Sequence, residues 1–156
     1  MEHEEYMQLA IEKAQEGIKK GQTPFGAILV RNDEVIVRAH NAVWSKNDIT
    51  AHAEIEAIRK ACRRLETIDL SDTIIYSTCE PCPMCFSAIH WARIPTIVSG
   101  ARIEDAERAG FNELNISNQQ LKSLGDLSVE VIPDVLRDEC YELFLRWKEK
   151  PDVQVY

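Results

Sequence analysis

The sequence predicts an α/β fold: a three-layer α/β/α domain built on a central, mixed, five-stranded sheet. Three observations carry this. Five short apolar or β-branched runs read as strands. The first two are parted only by a turn, as in an antiparallel hairpin, whereas strands and helices alternate from the third strand onward, as in crossover units. The 156 residues, 45% hydrophobic and 28% charged, suit one globular domain, without repeats or low-complexity linkers. Residues 1–156 are accordingly read as a single domain, with 149–156 as a C-terminal tail or lid.

Element by element, Tyr6, Leu9, Ala10, Ala14 and Ile18 fall at helical spacing between Glu4 and Lys20, and Gly21 is a natural stop. The run Ala27–Val30 suits a buried strand, Asn32 and Asp33 a turn, and Glu34–Ala39 the returning strand. Trp44–Thr50 is polar and loop-like. His52–Leu65 reads as a helix with Ile55, Ile58, Ala61, Cys62 and Leu65 on one face and Thr50 as N-cap. Thr73–Ser77 is a third strand, and Pro81 precedes a helix over roughly Cys82–Ala92. Thr96–Ser99 is a fourth strand, Glu104–Gly110 a short helix and Ser128–Ile132 a fifth strand. Val135–Lys148 is an amphipathic helix with Leu136, Cys140, Leu143, Phe144 and Trp147 inward, followed by an irregular tail.

Lys plus Arg number 18 against 26 Asp plus Glu, a formal net charge of −8. Such a chain is poorly suited to generic binding of phosphate backbones, which is driven by counterion release from basic contacts. Arg59, Lys60, Arg63 and Arg64 form the one basic cluster and read as a solvated helix face. Five cysteines cannot all pair within the chain. The first residues, Met1-Glu-His-Glu-Glu5, lack the basic start and apolar run of a signal peptide, and no stretch is apolar enough to span a bilayer. The expectation is a cytoplasmic protein with reduced thiols and no membrane partner.

The chemistry concentrates in two places: His52 and Glu54 at one predicted helix start, and Cys79-Glu-Pro-Cys-Pro-Met-Cys85 running into another. Cys82 and Cys85, three apart, present both sulfurs on one helical face, and a helix N-terminus favours thiolates. Two thiolates and one imidazole are a natural zinc set that leaves a fourth position for water. Zn²⁺ with two thiolates and a neutral histidine is formally neutral and acidifies its water less than an all-histidine site would. A nearby base is then needed, and Glu54 is the candidate. Positions i and i+2 of a helix diverge, which suits a glutamate that handles the proton instead of binding metal. The alternative is a closed structural site in which Cys79 supplies a fourth ligand, but it leaves Glu54 unexplained.

The pattern H-x-E followed by P-C-x-x-C resembles the signature of the zinc-dependent nucleobase deaminases. Over nearly its whole length the chain is similar to the cytidine deaminase superfamily, through Thr50-Ala-His-Ala-Glu54, Glu80-Pro-Cys-Pro-Met-Cys85 and Pro24-Phe-Gly-Ala27. The resemblance implies a five-stranded sheet with helices on both faces, one Zn²⁺ per subunit on His52, Cys82 and Cys85, and hydrolytic release of ammonia from a base. Metal-activated water attacks the amino-bearing carbon. Glu54 takes the water's proton, protonates the ring nitrogen and passes a proton toward the leaving amine.

Several features resemble the bacterial guanine deaminase branch: Cys79, Phe25 after Pro24, the segment Asp105-Ala-Glu-Arg-Ala-Gly-Phe-Asn-Glu113, and a final Tyr156. In that branch a second carboxylate assists proton transfer, here Glu113. A tail ending in tyrosine closes over the base and in some members is exchanged within a homodimer. The resemblance also implies substrate contacts from Asn41, Phe25, Ala53 and Trp91, the last near the pocket floor. The expected reaction is guanine to xanthine and ammonia, with a small-molecule nucleobase as substrate, a homodimer as assembly and no nucleic acid partner. Asn112 and Glu113 depart from the branch's paired aspartates, and Ile49 sits where proline is common. Residues 117–148 look like the fungal-type cytosine deaminases. The alternatives are tRNA adenosine-to-inosine editing, deamination of cytosine, guanosine or an aminotriazine, and a non-catalytic zinc scaffold.

Overall fold

The computed structural model describes residues 1–156. Its elements are α1 (His3–Lys19), β1 (Gly26–Arg31), β2 (Glu34–His40), α2 (Val43–Lys46), α3 (Ala53–Leu65), β3 (Ile74–Cys79), α4 (Pro83–Trp91), β4 (Thr96–Ala101), α5 (Ile103–Arg108), α6 (Asn118–Leu124), β5 (Glu130–Ile132) and α7 (Arg137–Lys148). One sheet runs β2-β1-β3-β4-β5. β1 is antiparallel to both β2 and β3, whereas β3, β4 and β5 are parallel. The mixed, five-stranded, three-layer fold is therefore as expected.

Alternation along the strands builds two cores. Ile28 and Val30 of β1, Tyr76 of β3 and Val98 of β4 face α1, α5 and α7. Ala27, Leu29, Ile75 and Ile97 face α3 and α4. A strand covered on both faces must be apolar at every position, which is why β1 reads as a continuous apolar run. Asn32 and Asp33 both have positive φ, 51° and 62°, as the two central residues of a tight hairpin of the twist-matched kind require. Gly26 sits where α1 crosses β1. A Cβ there would lie 2.3 Å from the Ala10 carbonyl oxygen, so only glycine permits the approach.

Some local expectations change. The N-cap of α3 is His52, with extended backbone, and not Thr50. The Thr50 amide and hydroxyl both donate to Asp48 Oδ1. The deep face of α3 is Ala53, Ala57 and Ala61, with Ile58, Cys62 and Leu65 only partly buried beside it, because small residues let the helix lie close on β1 and β2. Residues 43–46 coil into a short helix where a loop was expected. α6 was not anticipated, although Ser117 and Gln120 form a reciprocal capping box at its start. Leu136, expected inside α7, is its N-cap with positive φ and is partly buried.

The topology aligns four strand ends along one rim of the sheet, those of β2, β3 and β4 and the start of β1. Ala27 of β1 pairs with Ser77 of β3, so the start of β1 lies beside the end of β3, and β2 returns to the same rim. Ligands in open α/β sheets bind beyond the carboxyl ends of the parallel strands. The loop after β3 and the first turns of α3 and α4 meet there.

Candidate metal centre and active site

His52 and Cys82 are the N-caps of α3 and α4, and Cys85 lies in the first turn of α4. Their ligand atoms, one imidazole nitrogen and two sulfurs, lie within 4.8 Å of one another. His52 Nδ1 is 3.6 Å from Cys82 Sγ and 3.6 Å from Cys85 Sγ. With Zn–S near 2.3 Å and Zn–N near 2.05 Å, a tetrahedral N–S edge is about 3.6 Å, so donor type and spacing both fit zinc. Cys79 stands outside this set. It is buried, and its thiol donates to the Arg102 carbonyl at 3.5 Å. Cys140 is in the core, packed against Gly100, and Cys62 is partly exposed.

The two cysteines of the triad are held in opposite directions by their shared hydrogen bond. A hydrogen bond from Cys85 holds the Cys82 thiol down to about 4 against burial, with His52 contributing in the same direction. The Cys85 thiol is pushed well up by that same hydrogen bond to Cys82 and by burial. Glu54 is buried, and its carboxyl is raised by burial first and by the Cys82 charge second. Ser77 Oγ donates to Glu54 Oε1 at 2.9 Å, and Cys85 Sγ lies 3.5 Å from Oε2. The expected divergence of positions 52 and 54 does not apply, because His52 is the extended N-cap residue. Imidazole and carboxylate therefore both reach the same centre.

Phe25, His52, Glu54, Cys79, Glu80, Cys82, Glu113 and Tyr156 line one small cavity at this rim. Its free volume is about 20 Å³, space for about one water molecule. Glu113 comes from the strand-free stretch between α5 and α6. Burial, then the Cys82 charge, raises its carboxyl to about 7. Tyr156 closes the cavity. Its hydroxyl accepts from Asn41 Nδ2 and lies 3.1 Å from Thr23 Oγ1. Its ring packs on His52, Trp44 and Phe111. Asn41 is buried behind Tyr156 and is not part of the lining; its Oδ1 accepts from the Val43 amide at 3.0 Å, which leaves its amino group as the donor to the Tyr156 hydroxyl.

Trp91 lies apart from this cavity in the single chain. It is 81% exposed at the last turn of α4 and lines no part of this cavity. It lies six residues beyond Cys85, about 240° further round at 100° per residue, so it points outward when Cys85 points to the centre. Ala53 is buried in the core beneath α3 and is not part of the lining, although its neighbours converge on it. Ser77, Thr23, Trp44 and Phe111 were missed. Ser77, Thr23 and Trp44 lie outside the quoted motifs, Phe111 lies within the segment 105–113 without an assigned role, and only pairing and packing bring them to the rim.

The chain matches the family described as the cytidine and deoxycytidylate deaminase zinc-binding region over residues 1–101. It belongs to that family. It is 46% identical over 114 residues to a guanine deaminase of Bacillus subtilis, covering 72% of this chain and 73% of that one. It is 37% identical over 135 residues to a tRNA-specific adenosine deaminase of Bacillus subtilis, covering 86% of this chain and 81% of the other. Among solved structures, a guanine deaminase from Nitrosomonas europaea superposes with a TM-score of 0.87 at 29% identity, covering 96% of this chain and 86% of that one. Zinc, the fold and the deaminase centre thus agree between motif, geometry and family.

Proposed function

We propose that this deaminase hydrolyses a free purine base, guanine, to xanthine and ammonia. The observation that carries the reading is Tyr156 seated over the zinc-ligand triad, in a cavity lined by three carboxylates, Glu54, Glu80 and Glu113. A tail closed over the centre excludes a polynucleotide but can fold over a planar base. His52, Cys82 and Cys85 would hold zinc, which would supply Lewis-acid activation of water.

The chain's own residues do the rest. Glu54, buried beside the triad and oriented by Ser77, takes one proton from the attacking water and delivers it to the ring nitrogen, then takes the proton of the new hydroxyl on the carbon and delivers it to the leaving amine. Glu113, whose carboxyl titrates near neutrality, exchanges a proton on the other side of the base. Asn41 offers a donor to an acceptor on the base, and Phe25 a ring edge for packing. Tyr156 now occupies the partners Asn41 and Thr23, so the tail swings out to admit the base and then closes behind it. Exposed Trp91 on the outer face of α4 suits a homodimer contact, across which the tails can be exchanged. No helix is long and apolar enough to cross a membrane, and we place the enzyme in the cytoplasm.

Ammonia release by the zinc-loaded protein from guanine, guanosine, cytosine, adenine and aminotriazines tests the reading, with guanine expected to be turned over best. The similarity to tRNA adenosine deaminases keeps one competitor, and inosine formation in tRNA without guanine turnover would decide for it. Three of the four basic residues on α3 are already engaged within the chain: Arg59 with Asp48 and Glu56, Lys60 with the Arg38 carbonyl and Arg64 with the Ile36 carbonyl. That disfavours a phosphate-binding face.

A further inference from the structure

Glu113 lies on a stretch that no strand or helix holds. Between Phe111 and Ser117 the backbone makes two three-residue turns, Glu113 N–H to Phe111 O and Ile116 N–H to Leu114 O, and one contact to the tail, Asn112 N–H to Tyr156 O. Its upstream end is fixed by the Phe111 ring, packed on Phe25, Phe144 and Trp147. Its downstream end is fixed by a polar cluster. Glu80 Oε1 accepts from the Asn118 amide at 2.8 Å, and Glu80 Oε2 accepts from the Ile103 amide at 3.3 Å. One carboxylate thus joins the first residues of α5 and α6, the two helices that bracket the stretch. Asn118 is wholly buried, and its side-chain Nδ2 donates at 2.7 Å to the carbonyl of Pro81, the residue before the ligand Cys82. Its Oδ1 has no hydrogen-bond partner. A polar side chain buried at such cost is explained if the bond it makes to the ligand loop is needed.

We propose that Glu80 and Asn118 are positioning residues that hold Glu113 in register with the zinc-ligand loop. The cluster ties three things together: the loop 80–82, the start of α5 and the end of the Glu113 stretch. Its breakage leaves the triad's own residues in place but frees the second carboxylate. The inference rests on the reading of Glu113 as a carboxylate of the guanine reaction.

The test is a double-mutant cycle of Glu80→Gln and Glu113→Gln in the zinc-loaded protein, with hydrogen exchange measured on each variant. An amide at position 80 keeps the shape but turns an N–H toward one of its two donors. Glu80→Gln is expected to keep one zinc per chain, to lower kcat for guanine roughly tenfold with KM little changed, and to add almost nothing in the Glu113→Gln background. Backbone exchange should rise at 103 and 111–118 and nowhere else. Additive losses, or unchanged exchange over 111–118, overturn the proposal while the reading of Glu113 stands. If Glu113→Gln alone leaves guanine turnover intact, the reading of Glu113 falls and the proposal with it. Should Glu80→Gln not fold, Asn118→Ser enters the same cycle with the same expectations.

Discussion

Of the three carboxylates that line the cavity, burial raises Glu54 and Glu113, and the proposed mechanism gives these two different tasks. Glu54 accepts from Ser77 and lies beside Cys85, fixed at the first turn of α3. Replacing it with glutamine keeps the shape and leaves the zinc ligands untouched. Glu54→Gln should bind zinc at one per chain, while kcat falls by at least about 10²-fold; metal analysis beside an ammonia assay checks it, and near-normal turnover would remove Glu54 from the mechanism. Glu113 gives a pH prediction. Its folded pKa of about 7 lies above the ordinary glutamate value of 4.5, so the folded state holds the proton more tightly. The folded state pays nothing for it below about pH 4.5, and the cost grows as pH rises and is complete above about 7. Glu113→Gln should therefore raise the melting temperature relative to wild type more at pH 8 than at pH 5. A difference that is flat or reversed between the two pH values would contradict the burial of this carboxyl.

At the scale of elements, the site depends on how closely helices lie on the sheet. α1 touches β1 at Gly26, where an added Cβ would meet the Ala10 carbonyl and the Ala14 amide. Neither backbone atom can rotate away. Gly26→Ala should destabilise the fold by about 1–3 kcal/mol, read as a lower denaturation midpoint, and because Gly26 precedes the rim it should also lower turnover. The helix starts were partly legible. Pro81, read as preceding a helix from about Cys82, and the spacing of Cys82 and Cys85 mark one of them, which in the structure begins at Pro83. His52 as the N-cap of α3 was not legible, since histidine is not a usual cap and the hydroxyl of Thr50 offered a better one. Asp48 takes that hydroxyl instead.

The whole molecule brings residue 156 to residues 23, 41 and 112. Tyr156 touches Thr23 and Asn41 through its hydroxyl and Asn112 through its backbone oxygen. Few bonds hold the tail and most of its residues are exposed, which supports the proposed lid. Removing residues 153–156 should leave the fold and zinc content unchanged but impair guanine turnover. Steady-state kinetics of the truncated protein check this, and unchanged kinetics would remove the lid from the mechanism. The same closed tail predicts that the truncated protein exposes the centre to larger substrates.

The sequence by itself determined the ligand set, the glutamate beside it and the three-layer class. Each is a local pattern: donors at fixed spacing, an acid two residues from a ligand, and apolar runs whose length and order dictate a sheet covered on both faces. Tertiary structure alone decided what surrounds the metal centre. Trp91 sits in a motif that resembles a pocket wall, yet the angular advance of α4 turns it to solvent. Ser77, Thr23 and Trp44 carry no motif, yet strand pairing and the returning tail deliver them to the rim. A metal site can be written in a few neighbouring residues because its bonds are short and directional. A substrate pocket cannot, because its walls come from segments that meet only when the whole chain has packed.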